Sequence, residues 1–98
     1  MQWLFCAGND LQALPESIGN LHQLQTLDCS FNQLQVFPNS LAELKGLQEL
    51  ACANNQLQAL PESLAILPHL QKLDARNNPL THIPTALRHK KGLELLVN

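Results

Sequence analysis

Rings and positive charge are both in short supply in this sequence. Phe, Trp and Tyr make up 4% of the 98 residues, so any core the chain builds must be aliphatic. Lys and Arg number 6 against 8 Asp and Glu, and the net charge of −2 excludes a generally basic nucleic-acid binder. The deficit is concentrated: residues 1–71 hold one base, Lys45, against six acids, while residues 72–98 hold five bases against Asp74 and Glu94. No apolar run approaches the roughly 20 residues of a membrane span. Met1 is followed by neither the basic segment nor the apolar core of a signal peptide, so an unprocessed cytoplasmic chain without membrane insertion is expected. A glycine-rich phosphate loop is missing too, and no cofactor is expected. At this length a single globular core would be marginal.

Repetition takes the place of such a core. Residues 47–69 read LQELACANNQLQALPESLAILPH. Residues 24–46 (LQTLDCSFNQLQVFPNSLAELKG) and 70–92 (LQKLDARNNPLTHIPTALRHKKG) are variations of it. Residues 1–23 form a further copy, and a partial fifth occupies 93–98. The period is 23 residues, with no slip expected anywhere. A fixed period of this length is the signature of a solenoid, which buries a continuous apolar spine between coils once about three stack.

Counting places from the first residue of each copy, apolar side chains recur at places one, four, six, eleven, fourteen, eighteen and twenty-one. Places two to seven alternate inward leucine with outward polar or small residues, which predicts one short strand per copy and a parallel sheet. Proline at place fifteen (Pro15, Pro38, Pro61, Pro84) fixes φ where the chain enters the opposite side. Short 3₁₀ or α turns are expected over places sixteen to twenty-one. Asparagine holds place nine (Asn9, Asn32, Asn55, Asn78), where the chain leaves the strand. Its amide both donates and accepts, so a structural ladder bridging each turn to the adjacent coil is expected.

The pattern LxxLxCxxNxLxxLPxxLxxL resembles the leucine-rich repeat, and its LPxxLxxLxxL form resembles the typical 23-residue class over essentially the whole chain. The resemblance implies an α/β fold: a right-handed solenoid with a parallel concave sheet and short convex turns. It also implies protein–protein interaction. LPESIGNL and LPESLAIL are similar to repeats of intracellular signalling scaffolds, including Ras-pathway and cell-polarity proteins, and of many bacterial repeat proteins. In that family the repeats bind and a separate domain does any chemistry, so a non-enzymatic module is expected. The alternatives are the recognition arm of a larger kinase, ubiquitin ligase or GTPase, and a structural spacer.

Cys6, Cys29 and Cys52 share place six, where the family consensus has leucine. In-register neighbours of a parallel sheet project the same way nearly 5 Å apart, wrong for a disulfide, and a line of three is not zinc's tetrahedron. Three reduced, buried core thiols are expected. His22, His69, His82 and His89 share no column, so neither a metal site nor an acid–base pair is expected. Asp28 and Asp74 share place five with Ala51 between them, roughly 9–10 Å apart by strand spacing, a gap some inverting glycosidases use. A shallow surface with no pocket to raise a pKa argues against that use, and no catalytic residue is assigned. Arg88-His89-Lys90-Lys91 breaks the pattern, with Lys90 at place twenty-one where Leu21, Leu44 and Leu67 turn inward. A frayed or capping end is expected there, a weak basic patch being the other reading.

The concave face remains, at places three, five, seven and eight. Its outward residues are Trp3, Phe5, Thr26, Asp28, Ser30, Phe31, Glu49, Ala51, Ala53, Asn54, Lys72, Asp74, Arg76 and Asn77, the least repetitive set in the chain. Trp and Arg are enriched among interface hot spots, and exposed aromatics need a reason. Another protein is therefore the expected partner; the other reading is a set of variable solvent-facing residues, with Glu49 and Lys72 pairing across neighbouring strands for little energy. Met1 at place one and Asn98 at place six both fall within strands. A bare N-terminal edge of Leu4, Cys6, Leu11 and Leu14 is expected to be covered, by further repeats of a longer solenoid or by self-association with a second copy.

Overall fold

The computed structural model describes residues 2–97; the strand positions expected for Met1 and Asn98 lie outside the described residues. Five three-residue strands form one parallel sheet in chain order: β1 (Trp3–Phe5), β2 (Thr26–Asp28), β3 (Glu49–Ala51), β4 (Lys72–Asp74) and β5 (Glu94–Leu96). Convex turns connect them, 3₁₀ at Glu16–Asn20, Asn39–Glu43 and Glu62–Ile66, and one α turn, α1, at Thr85–Arg88. Proline precedes each turn with φ between −56° and −71°, supplying the entry angle without needing an N–H. No side chain caps any of these turns. Burial holds them instead, through Ile18, Leu41, Leu64 and Leu87. The first two turns pack so closely that a Cβ on Gly19 would come within 2.7 Å of the Ser40 Cβ.

Leu27, Leu50 and Leu73 of the strands, Leu34 and Leu57 beyond them, and Leu44 and Leu67 on the way back are all sealed from solvent. The first coil is not. Leu4, Cys6, Leu11 and Leu21 are only half-buried and, with Leu14, Pro15 and Ile18, line an apolar hollow of ≈ 290 Å³ at that end. Two expectations are corrected here: Cys6 is not fully buried, and Leu14 is.

Asn32, Asn55 and Asn78 are buried and each ties two coils together. The Asn55 Nδ2 donates to the Cys52 carbonyl of its own turn and the Cys29 carbonyl of the coil before, both at 3.0 Å, while its Oδ1 accepts the Leu34 N–H at 3.0 Å. Asn9, on the first coil, reaches only its own turn and is exposed. Pro79 has no N–H to repeat the bonds that Gln33 and Gln56 donate to Leu11 and Leu34, and in that coil the bond moves on to Thr81, which donates to Gln58.

The unbroken period is corrected at the last strand. β1 to β4 pair at 23-residue steps, Trp3 opposite Thr26 and Glu49 opposite Lys72, but Lys72 lies opposite Glu94 and Leu73 opposite Leu95. Leu93 still donates to the Lys90 carbonyl as Leu70 does to Leu67, so the residue is lost between Leu93 and Glu94. A one-residue slip exchanges the two faces of a strand. Here it turns Leu95 and Val97 against the core and Glu94 outward, whereas the unbroken period would point Leu96 inward and Leu95 and Val97 outward.

At Arg88–Lys91, where a frayed or capping end without an inward anchor is expected, the lost anchor is corrected. Lys90 is half-buried, and its Nζ donates to the Ala65 carbonyl of the third convex turn at 2.9 Å. Its aliphatic stem stands in for leucine, and the ammonium supplies a polar anchor to a turn too short to satisfy its own last carbonyls.

Candidate functional site: the concave face

Strand alternation decides what this face presents. Leu4, Leu27, Leu50 and Leu73 point inward, so their neighbours at places three and five point outward. The result is aromatic at one end, with Trp3 58% and Phe5 68% exposed, and charged at the other. Trp3 and Phe5 therefore stand on the sheet as concave residues.

Beyond each strand the chain turns through the left-handed region at place eight, at Gly8 (φ 76°), Phe31 (φ 57°), Asn54 (φ 60°) and Asn77 (φ 59°). Glycine and asparagine tolerate this conformation; a bulky ring does not. Phe31 adopts it all the same, with 63% of its surface in water. The position is strained and the side chain is exposed. Sequence reading placed Phe31 on the face but had no access to its backbone angle.

Ser30 is withdrawn from the site: it is buried, and its N–H donates to the Asp28 Oδ1 at 3.1 Å. Ala53 at the same place is buried too, while Arg76 and Asn77 are exposed and Asn54 half-buried. The Arg76 guanidinium grips Asp74 with two bonds, Nε to Oδ1 and Nη2 to Oδ2, both 2.9 Å. Those bonds, opposed only by partial burial, hold the Asp74 carboxyl below its usual pKa. Among the described residues this is the one ion pair; Glu49 and Lys72 lie opposite each other in register without forming the pair that the solvent-facing reading gives them. Glu94, missed by sequence reading because of the slipped register, extends the charged end as Lys72's other neighbour.

Phe5, Thr26, Asp28, Glu49, Lys72 and Asp74 surround a shallow depression of ≈ 190 Å³ floored by Leu50 and Ala51. It brings Asp28 and Asp74 to one place, with Asp74 already engaged by Arg76. The four histidines are exposed and scattered, and no group of three His, Cys, Asp or Glu among the described residues is placed to hold a metal.

This geometry belongs to a known class. A family model described as leucine rich repeats in two copies matches residues 45–89, and a single leucine rich repeat matches residues 23–44. The chain belongs to the leucine-rich repeat proteins. No curated protein sequence matches it. Among solved structures it is similar to a leucine-rich repeat protein of Leptospira interrogans at 33% identity and a TM-score of 0.83, which covers 97% of this chain and 25% of that one. An internalin C2 of Listeria monocytogenes matches at 23% identity and a TM-score of 0.86, over 100% of this chain and 42% of that one. YopM of Yersinia enterocolitica matches at 26% and 0.67, over 100% and 24%. The chain thus spans under half the length of each. Its fold is that of a leucine-rich repeat solenoid, and such repeats serve as protein-interaction modules.

Proposed function

We propose that this chain recognises another protein across its concave face, with the contact centred on the aromatic end formed by Trp3, Phe5 and Phe31. The observation that carries this reading is Phe31: an exposed ring kept at a left-handed position that other coils give to glycine or asparagine. Folding gains nothing from that choice, whereas a partner's surface would bury the ring. A catalytic role finds less support. A general acid needs a raised pKa, and Asp74 has a lowered one. Three free cysteines suit a cytoplasmic, reducing setting. The short share of each solved relative that the chain covers keeps the recognition arm of a larger protein as the second reading. Self-association through the apolar hollow of the first coil is a further contact this reading allows.

Phe31→Asn separates binding from folding. It relieves the left-handed strain and removes a mostly exposed ring, so the melting temperature should stay level or rise while partner capture weakens. Arg88→Ala with Lys91→Ala should leave capture intact. If capture survives Phe31→Asn and Trp3→Ala but is lost with the Arg88 and Lys91 changes, the basic end is the binding surface instead.

A further inference from the structure

We propose that the aromatic, acidic half of the concave sheet takes a basic peptide segment of the partner, with one arginine or lysine side chain seated in the depression between Phe5, Asp28 and Glu49. This rests on the concave-face reading above and adds the chemistry of what lies there.

Charge is the first argument. The outward positions of β1 to β3 hold Asp28 and Glu49 and no base. The bases further along compensate them only in part: Arg76 is committed to Asp74 by two bonds, and Lys72, on the rim of the same depression opposite Glu49, offsets one of the two charges without forming an ion pair. The leftover charge at the depression is negative and wants a cation from outside.

Shape is the second. At ≈ 190 Å³ the depression is smaller than the about 300–1,000 Å³ of small-molecule pockets, which suits one long side chain of a larger ligand. Leu50 and Ala51 make an apolar floor for an aliphatic stem, and the exposed Phe5 at the rim puts an aromatic ring within the same depression, a partner for a cation. The Ser30 N–H fixes the Asp28 carboxylate through Oδ1, and no described residue bonds its other oxygen. The carboxylate is held in place and half free.

The test uses a random peptide library displayed on phage, selected against the full chain, with the best binders synthesised and titrated by fluorescence anisotropy. Selected peptides should carry arginine or lysine beside an apolar residue, and their affinity should fall as salt rises. Asp28→Asn keeps an acceptor for the Ser30 N–H but removes the charge, and should weaken binding about tenfold with unchanged circular dichroism. Selected peptides that lack basic residues, or that bind Asp28→Asn as tightly as wild type, would overturn the proposal. Loss on Trp3→Ala without loss on Asp28→Asn would discard the cationic occupant and leave the concave-face reading standing. Indifference to Trp3→Ala, Phe5→Ala and Asp28→Asn together would discard both.

Discussion

Removing the Asn55 side chain should cost less than its number of hydrogen bonds suggests, and the structure says how much less. Asn55→Ala deletes donations to the carbonyls of Cys29, Cys52 and Ala53 and one acceptance from Leu34. Each of the three carbonyls keeps a donor: Cys29 retains the Asn32 amide, Cys52 the Asn78 amide, and Ala53 the Phe31 N–H. Only the buried Leu34 N–H is orphaned, which sets the cost at about 1–3 kcal/mol. At about 4–8 °C per kcal/mol for a domain of this size, the melting temperature should drop by roughly 4–24 °C. Asn9→Ala is the control. Its amide donates only within its own exposed turn, and the Cys6 carbonyl keeps the Asn32 amide, so the loss should stay within about 0.5 kcal/mol, as for other surface changes. Asn55→Asp keeps the oxygen that Leu34 needs but aims a carboxylate at three buried carbonyls, and should be worse than alanine. Thermal melts followed by circular dichroism read all three. Equal losses for Asn9→Ala and Asn55→Ala, or an Asn55→Asp protein as stable as Asn55→Ala, would refute the accounting of bonds between coils.

Two further outcomes concern titratable groups. Burial pushes the Cys29 thiol up to about 12 and Cys52 well above its usual value, while Cys6 is raised but half-exposed, so a thiol reagent at neutral pH should label Cys6 in the native protein and the other two only on unfolding. Quantitative native labelling of Cys52 would contradict the buried column. Arg76 lowers the folded pKa of Asp74, so the pair's contribution is present above the ordinary carboxylate pKa and is lost as pH falls through the lowered folded value. Carboxyl chemical shifts followed by NMR should show Asp74 titrating at higher pH in Arg76→Ala than in wild type.

The fold was legible because a solenoid writes each structural demand several times over. Four prolines in one register mark the entries to four convex turns, and four asparagines mark the exits from four strands. Where a demand is written once, reading fails. In the run LELLV the unbroken period continues the column with Leu96, whereas the structure continues it with Leu95 and Val97, and counting from the first residue of the copy follows the wrong leucine. Packing against Leu73, and a charge opposite Lys72, decide it. Lys90 likewise reads as the loss of a leucine, because the carbonyl that receives its ammonium belongs to a turn 25 residues earlier in the chain.

The concave face was legible as a list of residues but not as a site, and Phe31 shows why. Strand alternation assigns side chains to faces, so Trp3, Phe5, Asp28 and Glu49 could be placed from sequence. It says nothing about backbone angle at place eight, which Gly8, Asn54 and Asn77 satisfy for the ordinary reason that they fit. A ring there carries strain of about 1–3 kcal/mol and buries little in return. Because the other coils hold residues that fit, the geometry itself does not demand phenylalanine. On the proposed reading the demand comes from a partner, on the side where the ring is exposed to water.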